Sequence, residues 1–306
     1  MITIPIQILV SATEFERYIT DCLTSLRQQQ GLGKKYRLIV HVGIYEPIAE
    51  TQLGGLEAFQ DESFTVKSIC IDRKCGYGEK QNLMWTQHSS KLSDPFDAFM
   101  TINPDMILLP DVVDKLYSTY ENEAGHAFIV EARQFPVENP PRVFDPQTQE
   151  VDWCSGACIL ISRDFFEREG GFDDNIFLYC EDVDLSWRAW LAGRKCIYRY
   201  DAIAAHITRA LFEERYNSFS VPVHEYYMAL SHLILTWKYF SHQARVYEEK
   251  MKLFWAYEWI AHNTKEAALA EFQRLQHRIR TQTKLHPRIK ILDLGLYSAM
   301  RPSLIG

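Results

Sequence analysis

Apolar residues in the first half of the chain follow two alternating periods. The runs IPIQILVSA (4–12), YRLIVHVGI (36–44), VKSICID (66–72) and DAFMTIN (97–103) are short, continuous and rich in branched side chains. Runs of that kind read as strands buried on both faces. Between them the period lengthens. In FERYITDCLTSLRQQ, Tyr18, Ile19, Cys22, Leu23 and Leu26 recur at helical spacing. GEKQNLMWTQH (78–88) and DVVDKLYSTYEN (111–122) read as further helices, and Ala49 to Phe59 as a weaker one. HAFIVEARQF (126–135) reads as another strand and ENPPRVFDPQTQEVD (138–152) as a proline-bearing excursion. WCSGACILISRDFFEREG (153–170) supplies a strand and a short helix, and RKCIYRYDAIAAHI (194–207) one or two strands. From about Phe219 onward nearly everything is helical, with aromatics throughout.

Strands alternating with helices imply right-handed crossovers and a mostly parallel sheet flanked by helices, an α/β fold with a helical C-terminal extension. The expected division is a catalytic domain over 1–215 and a helical region over 216–306. Ligands of such sheets bind beyond the carboxyl ends of the strands, so NPD (103–105) and KCGYG (74–78) are the first places to look.

Composition narrows the picture. With 306 residues and 47% hydrophobic content the chain can bury a large core. It has no run of 18 or more apolar residues, and its amino terminus turns polar after ten residues without a charged flank, so a cytoplasmic location is expected. Seven scattered cysteines (22, 70, 75, 154, 158, 180, 196) lack metal-site spacing and read as reduced core thiols. A net charge of −7 argues against nucleic acid as a partner. One segment runs the other way: Phe272 to Leu292 holds Arg274, Arg278, Arg280, Lys284, Arg288 and Lys290 and no acid. Together with the tail aromatics it suits either an anionic membrane surface, on the inner face of the cell membrane, or packing against the catalytic domain or a second subunit of a homo-oligomer.

Candidate chemistry concentrates in FLYCEDVDLSWR (177–188), where Glu181, Asp182 and Asp184 fall within four residues. Like charges so close repel unless helix-end amides, cations or substrate compensate. Asp184 and Arg188, at i and i+4, can pair on the helix surface. Glu181 and Asp182 are left for the rim of a cleft, where a carboxylate could take a proton from a hydroxyl. Asp105 follows an apolar strand, with Asn103 two residues before it. Oxygen ligands there suit Mg2+ or Mn2+, and the same three residues also suit a plain turn. Gly76 and Gly78 precede a helix start, a place that favours phosphate or simply a structural turn, and the GKS or GKT ending of a P-loop is missing. His206, closing AIAAH, reads as a structural histidine or as a companion of a carboxylate around a metal.

The order IQILVSA, CGYGEKQN, TINPDMILLPD, SGACILISRDFFEREGGFDDNIFLYCEDVDLSWRAWLAG and AIAAH resembles the family-2 inverting glycosyltransferases of GT-A fold, most closely their bacterial rhamnosyltransferase-like branch. The resemblance spans roughly residues 4–210 and is specific over Ser155–Gly193. It implies Asp182 as catalytic base and Glu181 as its neighbour at the acceptor. It implies metal contacts at Asp105 and His206 for Mn2+ or Mg2+, and a donor side with Ser11, Glu46, Gly76, Gly78, Asn82, Asn103, Asp105, Trp153 and Gly156. The implied reaction moves a sugar from a nucleotide-diphospho sugar, dTDP-rhamnose or a UDP-sugar, to a glycan or lipid-linked acceptor. Two departures stand out. HVGIYEP replaces the family's Asp-rich turn, leaving Glu46 as the nearby acid, and Cys75 stands where an Asn commonly opens the glycine turn. A catalytically degenerate scaffold of a glycan assembly complex is the alternative.

Overall fold

A computed structural model describes residues 1–123, 127–138, 141–207 and 221–290. In chain order the first elements are β1 (Ile2–Val10), α1 (Ala12–Arg27), β2 (Tyr36–Ile44), α2 (Glu50–Leu53), β3 (Phe64–Cys70), α3 (Tyr77–Gln87), β4 (Ala98–Ile102), β5 (Met106–Leu108) and α4 (Val112–Asn122). They are followed by β6 (Ala127–Phe135), β7 (Cys158–Ser162), α5 (Arg163–Arg168), α6 (Glu181–Leu191) and β8 (Lys195–His206). The weak helix expected over 49–59 divides into α2 and a 3-10 turn over Gly54–Phe59.

All eight strands join one sheet in the order β3-β2-β1-β4-β7-β6-β8-β5. β3, β2, β1 and β4 run parallel, as do β6 and β8, whereas β7 opposes both β4 and β6, and β5 opposes β8. These reversals build the site. Because β7 is antiparallel to β4, its first residue Cys158 pairs with Ile102, the last of β4, which brings the turn ahead of β7 to the rim that carries Asn103. Likewise Met106 at the start of β5 pairs with His206 at the end of β8. One edge of the sheet therefore gathers Ser11, Asn103, Asp105, Gly156 and His206 from segments far apart in sequence.

The helical tail contains α7 (Val221–Phe240), α8 (Ala244–Ala256) and α9 (His262–Leu275). It shares a core with α6: Val183 and Trp187 pack with Leu230, Leu233, Ile234, Tyr239 and Phe254. The opposite face of α6, through Leu185, Ala189 and Trp190, packs with Trp85, Phe165 and Phe166. A helix gripped from both sides cannot rotate, which fixes where its first turn points. The expected boundary near 215 lies outside the described residues.

The Asp184–Arg188 pair is not on the helix surface. Asp184 is fully buried, and its carboxylate meets Arg188 Nε at 2.8 Å, Lys238 Nζ at 2.6 Å and the Tyr239 hydroxyl at 2.7 Å. Burial alone would raise this carboxyl, but Lys238 and Arg188 outweigh it and hold the group down at about 2. Lys238 also reaches Asp173 at 2.5 Å, so one cluster ties α7 to α6 and to the turn before it. The i, i+4 spacing was met, but the tertiary partners made it a core feature.

The basic segment is partly engaged within the chain. Arg288 pairs with Glu150 at 2.7 Å, Lys290 with Asp152 at 2.9 Å, and His286 stacks on Trp190. All seven cysteines are unpaired thiols, six of them buried and Cys70 exposed. No helix among the described residues is long and apolar enough to cross a membrane.

Candidate functional site

The acidic turn is set by backbone conformation. Tyr179 and Cys180, directly before α6, both adopt left-handed φ values, 65° and 64°. Each such residue costs roughly 1–2 kcal/mol for an L side chain and persists only where its surroundings impose it. Here the lead-in is pinned from three sides. The Tyr77 N–H donates to Phe177 O at 2.8 Å, the Ser231 hydroxyl donates to Leu178 O at 2.9 Å, and Ile176 and Cys180 are buried in the core shared with α7.

That turn delivers two carboxyls into different environments. Asp182 accepts the Gly156 N–H on Oδ2 and the Val183 N–H on Oδ1, each at 2.8 Å. Burial raises its pKa, and the Gly156 and Val183 amides and the nearby Arg142 charge oppose the rise. Glu181 is buried, and its Oε2 has no hydrogen-bond partner among the described residues. Burial first, and the Asp182 charge second, push it up to about 8. With Glu181 raised to about 8, the pair holds a proton at neutral pH, and the two amide donors on Asp182 favour its residence on Glu181. An ionised carboxylate beside a protonated one offers a base and a hydrogen-bond donor side by side. Gly156 makes the contact close: a Cβ there would lie 3.4 Å from Asp182 Cβ.

Asp105 and His206 meet as a buried pair, Oδ2 to Nε2 at 3.1 Å. His206 Nδ1 lies 2.9 Å from Gln134 Oε1, and Gln134 Nε2 donates to Ser155 Oγ at 2.9 Å. In the tautomer whose single ring proton sits on Nδ1 and is donated to Gln134, Nε2 faces an Asp105 oxygen with its lone pair. Two electron-pair donors that face each other at this distance match neighbouring ligands of a small octahedral cation, whose bonds of about 2.0–2.1 Å separate adjacent donors by roughly 2.9 Å. These residues fit a divalent ion, with the remaining positions left to water and phosphate. No group of three or more histidine, cysteine or acidic side chains at metal-binding spacing occurs among the described residues.

The remaining residues assigned by resemblance have differing engagements. Asn103 donates its backbone N–H to Ala157 O at 2.8 Å, locking β4 to the turn before β7. Ser11 caps α1, accepting the Glu14 N–H and donating to its carboxylate at 2.9 Å. Glu46 accepts the Ala12 N–H at 2.9 Å, which places that acid beside the same helix start. Trp153 carries the Arg142 guanidinium 4.0 Å over its ring. Gly76 and Gly78 are explained by packing: a Cβ would lie 2.4 Å from Phe177 O at the first and 2.7 Å from Phe172 Cβ at the second. The Tyr77 N–H is taken by Phe177, so the turn is built around its aromatic neighbours and not as an open phosphate cradle. The Asn82 amide is likewise occupied, holding Phe172 through N–H and C=O and Asp174 at 2.8 Å.

Further polar residues complete the site. Glu131 and Gln134 are polar interruptions of an apolar strand, buried at 1% and 3% exposure. Polar residues inside a buried strand demand partners, and that is the signal that could have found them. Glu131 binds Arg142 through Nε and Nη2, and Gln134 binds His206 and Ser155.

No family profile matches the chain. Rhamnosyltransferase WbbL of Escherichia coli K12 is 28% identical over 174 residues, 46% of this chain and 66% of that protein. N-acetylglucosaminyl-diphospho-decaprenol L-rhamnosyltransferase of Mycobacterium tuberculosis is 42% identical over 62 residues, 20% of each chain. The chain thus spans less than two thirds of the curated relatives it matches. Among solved structures, mannosyltransferase PcManGT of Pyrobaculum calidifontis, in complex with GDP-Man and Mn2+, superposes with a TM-score of 0.55 at 12% identity, covering 98% of this chain and 81% of that one. The sheet order and the structural matches agree on a GT-A fold, and in sequence the chain is similar to bacterial rhamnosyltransferases.

Proposed function

We propose that the protein is an inverting transferase that moves a sugar, with dTDP-rhamnose or a UDP-sugar as favoured donor, to a hydroxyl of a glycan or lipid-linked acceptor. The observation that carries this reading is the carboxyl pair at the start of α6, Asp182 held by two backbone amides beside a buried Glu181 whose Oε2 has no hydrogen-bond partner among the described residues. As the acceptor oxygen attacks the anomeric carbon, its proton passes to Asp182 and the bond to the diphosphate breaks, the leaving group keeping the electron pair. Attack opposite the leaving group in one displacement inverts the centre. Glu181, keeping its proton, donates a hydrogen bond that orients the acceptor. Mn2+ or Mg2+, held by Asp105 and His206, would supply charge that offsets the departing diphosphate. Ser11, Glu46, Asn103, Trp153 and Gly156 border the donor side. The names of the relatives, two rhamnosyltransferases of which one acts on a decaprenol-linked acceptor, favour a lipid-linked acceptor here too. In this reading residues 1–215 carry catalysis, and the tail packs its aromatics against the catalytic domain and turns the cations beyond those paired to Glu150 and Asp152 toward the inner face of the membrane.

The test is thermal stability against UDP, dTDP and GDP, each with and without Mn2+, for the natural protein and Asp105→Ala. One nucleotide should raise Tm only with metal and only with Asp105 present, and Asp182→Asn should lower turnover about 100-fold to 10,000-fold. No response to any nucleotide would favour a second reading, a degenerate scaffold, which the occupied Asn82 amide and Cys75 support.

A further inference from the structure

Arg142 belongs to the excursion between β6 and β7, yet its side chain is buried at 5% exposure. Two of its nitrogens, Nε at 3.0 Å and Nη2 at 2.7 Å, converge on one oxygen of Glu131, itself buried at 1%. The guanidinium also lies 4.0 Å over the ring of Trp153, three residues before the Gly156 amide that holds Asp182. A buried ion pair adds little to stability against an apolar replacement, so its presence at this place needs another explanation. Charge provides one. The Arg142 charge acts on Asp182, opposing the rise that burial causes there.

We propose that Arg142 is the positioning residue of Asp182: clamped between Glu131 and Trp153, it holds the Trp153–Gly156 turn beneath the carboxylate and supplies the positive field that keeps it a base. The inference rests on the proposed function for the role of Asp182. The other groups facing Asp182 cannot replace the cation. Glu181 and Cys180 flank it on its own turn and Tyr77 faces it from α3, and in ionised form each of these is negative. The Gly156 and Val183 amides are dipoles only.

A double-mutant cycle tests this without any substrate. In a Glu131→Gln background, which leaves no orphaned carboxylate, Arg142→Met is made with Asp182 intact and with Asp182→Asn, and melting is followed from pH 4.5 to 8. The cost of Arg142→Met should be larger with Asp182 intact by about 2 °C or more at pH 7.5, and the gap should close as the carboxylate protonates. In turnover of dTDP-rhamnose with an N-acetylglucosaminyl diphospho-lipid, the acid limb of kcat/KM should move up by about one pH unit in Arg142→Met and return in Arg142→Lys. Equal melting costs at every pH, or an unmoved acid limb in an enzyme that Asp182→Asn inactivates, overturns the inference alone. Full turnover by Asp182→Asn overturns the reading on which it rests.

Discussion

The proton on Glu181 can be read out as a dependence of stability on pH. In the unfolded chain this carboxyl titrates at its ordinary 4.5, and in the fold at about 8. Between those values the native state holds a proton that the unfolded state has released, so stability falls as pH rises from 4.5 to 8 and levels off beyond. At about 1.4 kcal/mol per unit the ceiling is roughly 5 kcal/mol. Because Asp182 and Glu181 titrate as a pair, about 2–3 kcal/mol is the working figure. For a protein of this size that corresponds to a Tm lower by roughly 3–5 °C at pH 8 than at pH 5. Glu131, raised by burial to about 7, slopes the same way up to its own titration. Glu181→Gln removes one contribution and leaves the other. Melting curves at pH 5, 6, 7, 8 and 9 should show the variant close to the natural protein at pH 5 and roughly 3–5 °C above it at pH 8. Parallel curves across that range would refute the assignment of the proton to Glu181.

Three further outcomes follow from packing. Asp184→Asn leaves Arg188 and Lys238 buried without their shared carboxylate and should cost about 3–5 kcal/mol in denaturant unfolding; a loss below 1 kcal/mol would show that the cluster rearranges freely. Gly76→Ala drives a methyl into Phe177 O, so the loop before Glu181 must move; about 1–3 kcal/mol of stability should be lost, and turnover should fall more than the folded fraction does. Lys250, at 1% exposure, has no hydrogen-bond partner among the described residues, and burial lowers its amine to about 7. Its unfolded form binds a proton that the fold resists, so Lys250→Met should stabilise by about 1–4 kcal/mol, most below pH 7 and progressively less as pH rises toward 10.

Much of the scaffold could be read from the chain because it is built of local, repeating patterns. β2 occupies the run YRLIVHVGI residue for residue, and α4 begins one residue inside its predicted span. β5 escaped, because three residues inside TINPDMILLPD show no period and become a strand only when β8 lies alongside. At the site, Glu181, Asp182, Asp105 and His206 were visible because acids and a histidine at element ends are locally conspicuous. Gln134, Glu131 and Arg142 were not, since a single polar residue reveals its partner only once distant strands are side by side. The misreading of Asp184 has the same cause. Its spacing to Arg188 is local, but the decision between surface and core is made by Lys238 and Tyr239, in the last turn of a helix some fifty residues later. Gly76 and Gly78 show the converse, a local pattern with several physical origins, here the backbone of Phe177 and the ring of Phe172.

The grip of Lys238 on Asp184 also sets an order of events during synthesis. Asp184 leaves the ribosome 54 residues ahead of Lys238, a lag of roughly 3–10 s at typical elongation rates of about 5–20 residues per second. Over that interval the sheet can already be paired, since β1 to β8 all precede residue 207. The helix that presents the acidic pair, however, lacks both its counter-charge and half of its apolar seat on α7. The nascent chain is therefore a finished frame with an unset acidic corner, its rim in place before Glu181 and Asp182 have been fixed.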